Sequence, residues 1–175
     1  MKKMNKSYGA RRIAALSLTV AFALMLSYIE SLLPAFVPIP GVKIGLANVA
    51  VVFVMFTLGA ADALTVSLIR VLLVSMLFGS PVSAFYSILG AVFSFAAMLA
   101  ASKISAFSLI GISVAGGVFH NVGQIIAAAA VLGGVEVLAY LPVLIASGTV
   151  AGVAVGAVSS LIILKLKNQI KALLH

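Results

Sequence analysis

Long apolar segments occupy most of this chain of 175 residues, of which 64% are hydrophobic and only 8% charged. A soluble domain carries about 25% charged residues, and a helix needs about 20 mostly apolar residues to cross a membrane. Six segments approach that length: 13–33, 44–58, 61–78, 82–102, 109–132 and 138–164. The sequence therefore predicts an all-α integral membrane protein, with six transmembrane helices bundled in a single domain, 1–175.

The second and third segments are the least distinct of the six. The short string 59–62, which overlaps the start of the third segment, is the only break between them, and the second segment is short. A tilted or re-entrant segment, a half-span hairpin or a total of five spans also fits this region. The first segment is too long for an ordinary signal-peptide core and lacks a clear cleavage site, so we expect it to be a permanent span.

Basic residues predict the orientation, because cytoplasmic loops carry an excess of Lys and Arg. They are concentrated in residues 1–12, at Lys103 and in residues 165–175, which all fall on one side if the number of spans is even. The opposite side then has only Lys43, with Glu136. We therefore expect both termini in the cytoplasm. The basic C-terminal tail, residues 165–175, either lies in the membrane interface or is a solvated end.

The formal net charge of +8 suits a membrane surface of anionic lipids, or an anionic ligand. No solvated basic domain is present, so we expect no nucleic-acid partner. The absence of cysteine excludes disulfides, thiolate nucleophiles and cysteine metal sites. Two histidines without a neighbouring carboxylate pair give no expectation of a metal site, and no Walker-type loop for ATP hydrolysis is present.

Arg70 lies in the middle of the apolar run 63–78. Its guanidinium stays charged, and at the centre of a lipid-facing helix it costs at least roughly 2.5–3.5 kcal/mol. We expect it to face a protein interior or a wet cavity that supplies acceptors or an anion. In the alternative interpretation, backbone carbonyls or Glu30 satisfy it and its role is packing.

Further polar residues interrupt the spans in the strings GVKIGLAN, FYSILGAVFS and HNVGQ. A helix starting in the first string would aim its free amides and positive dipole end at an anion. In the third, His120 and Gln124 share a helix face, and His120 is also a candidate proton shuttle. The candidate ligand-binding residues are Lys43, Asn48, Arg70, Tyr86, Ser87, His120, Asn121 and Gln124.

Each of these groups also has a structural interpretation. Lys43 fits a lysine that extends to the membrane interface. Ser87 and Ser94 of the fourth span can bond to carbonyls of their own helix, with Tyr86 as an interface aromatic. The HNVGQ residues can clamp two helices together, because buried amides must find partners.

Two stripes of small residues recur every four positions, on one helix face each. One comprises Gly148, Gly152, Gly156 and Ser160 in the last span. The other comprises Ala15, Thr19, Ala23 and Ser27 in the first span. Either stripe can pack within the chain or dock another membrane protein, and the stripe in the first span is the better docking candidate.

The strings PGVKIGLAN, FYSILGAVFS and SLIGISVAGGVFHNVGQ, with the span that holds Arg70, resemble a bacterial family. It is known as the Gx transporter family or heptaprenyl diphosphate synthase component I. The resemblance covers nearly the whole chain. It implies a six-span protein of the bacterial cytoplasmic membrane, similar to the substrate-binding S components of energy-coupling-factor (ECF) transporters. Those proteins use small residues of the first helix to dock a transmembrane coupling protein that works with ATPases.

The synthase label disagrees with the residues. Prenyl diphosphate synthases of the common type hold magnesium with aspartate-rich motifs, whereas Asp62 is the one aspartate in this sequence. We therefore expect no catalytic residue, no cofactor and no metal, and at most a non-catalytic association with a synthase.

The leading hypothesis is a membrane substrate-binding or transport protein for a small anionic or amphipathic ligand, such as a flavin, a vitamin precursor or an isoprenoid phosphate. The alternative is a non-catalytic accessory subunit of polyprenyl diphosphate or quinone synthesis, or of a flavin-linked electron-transfer complex. A third hypothesis, an enzyme with His120 as acid or base, lacks a carboxylate to pair with the histidine.

Overall fold

The protein is described here from a computed structural model that covers residues 6–32, 45–134 and 136–174, with backbone alone at 6–8 and 167–174. Within these ranges the secondary structure is entirely helical. The α-helices are α1 (Lys6–Leu32), α2 (Asn48–Thr57), α3 (Ala60–Phe78), α4 (Pro81–Ala101), α5 (Leu109–Leu132) and α6 (Leu141–Leu174), and a 3-10 helix (Glu136–Tyr140) precedes α6.

The predicted all-α membrane fold with six helices is confirmed, with one difference in length. Five of the described helices are long and apolar enough to cross a membrane. The exception is α2, whose ten residues rise about 15 Å, roughly half of a hydrocarbon core about 30 Å thick. The half-span alternative therefore describes this region better than a full second span.

Local sequence explains where the long helices begin and end. At the start of α4, the Ser80 side chain accepts a hydrogen bond from the Ser83 amide, Ser83 reciprocates, and Pro81 occupies the first turn. Ser108 caps α5 through its side chain alone, which accepts a hydrogen bond from the Gly111 amide at 3.2 Å. Gly133 ends α5 with a φ of 69°, a left-handed conformation that glycine adopts without steric penalty.

Helices α1 and α3 run side by side in the same direction. At their starts, Arg12 forms an ion pair with Asp62, with 2.8 Å between Nη2 and Oδ1. Near their ends, the rings of Tyr28 and Phe78 meet edge to face with centroids 5.9 Å apart.

Helices α4, α5 and α6 pack antiparallel, and glycines allow their backbones to approach closely. A Cβ atom on Gly152 would lie 2.5 Å from the Cα of Val114, and one on Gly123 would lie 2.7 Å from the Leu89 carbonyl oxygen. The glycine stripe of α6 therefore packs against α5 within the chain, which is the structural interpretation of that stripe.

These directions place the start of α1 and the end of α6 at the same end of the bundle, called the terminal end below. Lys103, in the α4–α5 connection, lies at that end too, so the distribution of basic residues agrees with a cytoplasmic terminal end. The other end is called the distal end.

Helix α2 fills the terminal half of the bundle interior. Six of its ten residues are buried, and Val52 and Val54 are among the most deeply buried side chains of the described chain. It begins at mid-height, where Asn48 meets Arg70 of α3. Because α2 is short, it leaves the distal half of the interior to other side chains and to a cavity.

Candidate ligand-binding cavity

A cavity of about 480 Å³ lies between α1, α3, α4 and α5, above the start of α2. It reaches the exposed α3–α4 turn at Gly79 and Ser80, at the distal end. Its polar lining comprises Ser27, Glu30, Ser31, Asn48, Arg70, Ser75, Ser80, Ser83, Ser87, His120 and Gln124. This lining is unusual for a space within apolar helices and identifies the candidate site.

Arg70 lies at mid-depth on the cavity wall, eight residues after Asp62 and eight before Phe78. Its Nη2 donates a long hydrogen bond, 3.4 Å, to Oδ1 of Asn48. Its Nε is shielded from solvent and has no hydrogen-bond partner among the described residues. The guanidinium thus lines a sheltered polar space and retains an unused donor.

Glu30 also lines the cavity, from a position near the distal end of α1. Its Oε1 accepts a hydrogen bond from the Gly45 amide at 2.5 Å, at a residue with a φ of 80°. It interacts electrostatically with Arg70 without forming a direct ion pair. Glu30 therefore does not satisfy the Arg70 guanidinium, as the alternative interpretation would require.

His120 and Gln124 enter the cavity from α5 across Gly90 of α4. A Cβ atom on Gly90 would lie 2.9 Å from His120 Cε1 and 3.0 Å from Gln124 Cγ, so any side chain at this position would crowd both residues. Oε1 of Gln124 is buried and has no hydrogen-bond partner among the described residues. Ser87 adds a hydroxyl from the neighbouring turn of α4.

The cavity therefore brings together five of the eight predicted ligand-binding residues: Asn48, Arg70, Ser87, His120 and Gln124. Tyr86 is half-buried and lies outside the cavity lining. Lys43 lies outside the described residues.

Asn121 faces α6 and not this cavity. Its Nδ2 donates to the Leu144 carbonyl at 2.7 Å and to Ser147 Oγ at 3.2 Å. It is therefore an interhelical clamp, and the prediction that all three polar residues of HNVGQ share one pocket needs this correction. Asn121 does border a separate space of about 30 Å³, which is room for little more than water.

The expected anion site at the entry to the second span stays a prediction, because Lys43 lies outside the described residues, but several of its backbone amides are already in use. Helix α2 begins at Asn48, after a turn in which the Asn48 amide donates to the Gly45 carbonyl at 2.8 Å. The Gly45 amide is not free for a ligand, because Glu30 already occupies it.

Sequence reasoning missed several lining residues. The small-residue pattern places Ser27 in the docking stripe, and the sequence suggests Glu30 only as a partner of Arg70, yet both line the cavity. Val71, Val74, Ser75 and Phe78 form its α3 wall. Their spacing of three and four residues beside Arg70 was the available signal.

The stripe on α1 is partly packed inside the chain. Ala23 has 0% exposure and Ser27 is buried, whereas Ala15 and Thr19 are half-buried. Docking through this stripe remains a prediction, and only its terminal half is open to a partner. A more exposed set of small residues lies on the adjacent face of α1 and comprises Ala10, Ala14, Ser17 and Ala21.

Two comparisons with known proteins bear on this arrangement. The sequence model of the family described as heptaprenyl diphosphate synthase component I matches residues 19–162. The chain belongs to this family. A solved structure described as the S component of a bacterial ECF transporter superimposes with a TM-score of 0.72 at 21% identity. The alignment covers 93% of this family member and 99% of that chain. No curated protein matches the sequence.

The side chains of this family member determine what its cavity can bind. The described residues contain no group of three or more His, Asp or Glu side chains placed to hold a metal ion. Asp62 is bound by Arg12 at the terminal end, at the far end of α3 from the cavity mouth. What the cavity offers is a fixed cation, a carboxylate and amide and hydroxyl groups, which can bind and orient a small polar molecule.

Proposed function

We propose that this chain is a membrane-embedded substrate-binding subunit of a transporter, with its ligand held in the cavity beside Arg70. The observation that carries the proposal is the sheltered guanidinium with an unused donor, at mid-depth in a bundle of apolar helices. Ionisable groups at that depth usually mark a substrate or ion pathway, because their burial has no structural advantage over apolar packing.

The size of the cavity supports a small molecule. Its volume of about 480 Å³ falls within the range of roughly 300–1,000 Å³ that is common for ligand pockets. Val71, Val74 and Phe78 add an apolar part to a lining that is otherwise rich in polar side chains. An amphipathic ligand fits this division, and a flavin, a vitamin precursor or an isoprenoid phosphate is an example.

The likeness to an S component supports the same role through the fold. An S-component role requires a membrane partner that supplies energy, and we propose a transmembrane coupling protein with ATPases. The exposed small residues of α1, with Ala14 and Ala21 at their centre, offer a face on which a partner helix can approach closely. The location that follows is the bacterial cytoplasmic membrane, with the terminal end in the cytoplasm.

A second candidate function rests on the family description. In it, the chain is a non-catalytic membrane partner of a prenyl diphosphate synthase, and the polar residues only hold the bundle together. The two functions differ in what Arg70 does. Loss of Arg70 removes a ligand in the first and weakens folding or assembly in the second.

The test is native mass spectrometry of gently purified protein, in the wild type and in Arg70→Ala. Transport predicts a small molecule that is retained by the wild type and lost from the variant, with thermal unfolding of the ligand-free proteins little changed. Lys103→Ala, which removes an exposed charge at the terminal end, is the matched control and should keep the molecule. Equal retention by wild type and Arg70→Ala would refute the proposed site.

A further inference from the structure

The described part of the cavity lining carries two opposite charges. Among the described lining residues, Arg70 is the cation and Glu30 is the anion, so these side chains together contribute no net charge. A ligand with several negative charges would be attracted by the first and repelled by the second. The described lining is therefore poorly suited to a terminal diphosphate, although that group is named in the family description.

The unused hydrogen-bonding atoms have mixed polarity as well. Arg70 Nε is a donor, Gln124 Oε1 is an acceptor, and the Ser27 hydroxyl can act as either. All three atoms are buried without a partner among the described residues. Glu30 uses one oxygen for Gly45, and its carboxylate retains capacity for a further donor. Buried groups of this kind are normally satisfied, so a bound molecule should supply an acceptor and a donor.

We propose that the ligand is neutral or zwitterionic, with an acceptor or single anionic group facing Arg70 and an N–H, O–H or ammonium group facing Gln124 and Glu30. Glu30 then acts as a specificity residue that excludes diphosphate esters. This inference rests on the proposed function, since it describes the ligand of the same cavity.

Glu30→Gln separates charge from shape. Glutamine keeps an oxygen that can accept from the Gly45 amide, so the backbone contact is retained while the negative charge is removed. The cavity lining then has a net positive charge, and repulsion of a polyanion disappears. Like charges that face each other across a binding site cost enough to change affinity by at least about tenfold.

The probe is geranyl diphosphate, added without magnesium to the purified full chain in detergent. The variants are Glu30→Gln and the double variant Glu30→Gln with Arg70→Gln. Glu136→Gln is the matched control, because it removes the same charge from an exposed position outside the cavity. Binding is measured by titration calorimetry, and thermal unfolding checks each fold.

We expect no measurable binding by the wild type or by Glu136→Gln. We expect Glu30→Gln to bind measurably, at least about tenfold more tightly than the weakest binding that the titration can detect, and we expect the double variant to lose this binding. If Glu30→Gln unfolds, Gln124→Lys supplies a positive charge in the same cavity and should produce the same gain.

Binding of geranyl diphosphate by the wild type would overturn the inference. So would the absence of a gain when the Glu30 charge is removed. Neither result touches the proposed function, which fails only if Arg70→Ala retains the co-purified molecule as the wild type does. A diphosphate ester identified as that molecule would confirm the site and overturn its proposed specificity.

Discussion

Arg12 binds the Asp62 carboxylate with two parallel hydrogen bonds, 3.0 Å from Nε to Oδ2 and 2.8 Å from Nη2 to Oδ1. The pair joins the start of α1 to the start of α3, fifty residues later in the chain. Side-chain exposure is 43% for Arg12 and 9% for Asp62, so water screens the pair on one side only. It fixes the two helices that form one wall of the cavity.

Loss of this pair should lower stability by an intermediate amount. Exposed pairs contribute about 0–1 kcal/mol, and breaking a buried pair costs about 3–5 kcal/mol. We therefore expect Asp62→Asn to lower the free energy of unfolding by about 1–2 kcal/mol. A double-mutant cycle with Arg12→Gln, followed by thermal unfolding in detergent, measures the coupling. Strictly additive effects of the two substitutions would show that the pair contributes nothing.

Asn121 and Gln124 should respond differently to substitution, although they are three residues apart on α5. Asn121→Ala removes two bonds to α6 and should lower stability by about 0.6–1.7 kcal/mol, while ligand retention persists. Gln124→Ala removes a cavity acceptor and should reduce retention of the co-purified molecule with little effect on unfolding. Native mass spectrometry and thermal unfolding of both variants test this. Loss of the molecule from Asn121→Ala but not from Gln124→Ala would show that the ligand lies between α5 and α6 and not in the cavity.

Gly152 should tolerate no side chain. A methyl group there meets the backbone of Val114 on α5, and overpacking of this kind costs about 1–3 kcal/mol. Gly9→Ala is the control, because a Cβ at Gly9 has nothing within 4 Å and alanine favours a helix. We expect Gly152→Ala to unfold at a lower temperature and Gly9→Ala to match or exceed the wild type. Equal unfolding temperatures would contradict the close contact of α5 and α6.

Leucine substitutions on α1 distinguish packing from docking. Ala23 is fully buried, so Ala23→Leu should destabilise the isolated protein by about 1–3 kcal/mol. Ala14 is exposed, so Ala14→Leu should leave the isolated protein and its ligand intact and impair only assembly with a membrane partner. The readouts are unfolding of the purified chain and co-purification from membranes. Normal assembly of Ala14→Leu would exclude this face of α1 as the docking surface.

The sequence was sufficient to predict those helices whose ends carry strong local signals. The limits of α3, α4 and α5 follow from Gly59, the Ser80–Pro81 pair, Ser108 and Gly133, and each agrees with the structure within one residue. The start of α2 has no such signal. The apolar run continues past Asn48 in both directions, so hydropathy alone cannot show that the helix has half the expected length.

The sequence also predicted that Arg70 is sheltered, because the cost of a charge in lipid is large whatever the neighbouring helices are. The sequence could not show which neighbouring helix each polar residue of α5 faces. Successive residues of a helix point about 100° apart, so Asn121 faces α6 while His120 faces the cavity. Which neighbour lies on each side is a property of tertiary packing. The same reason explains why Ser27 and Glu30 were not recognised as cavity residues.

The most direct measurement of the central claim is thiol labelling, because the chain has no cysteine of its own. Ser87→Cys places a thiol in the cavity, and Val92→Cys places one on an exposed apolar face of the same helix that the membrane covers. A membrane-impermeant maleimide added to intact cells should label Ser87→Cys readily and Val92→Cys slowly. Lys103→Cys, at the terminal end, should react only after permeabilisation. Labelling of Ser87→Cys no faster than Val92→Cys would contradict a polar chamber that opens to the distal side of the membrane.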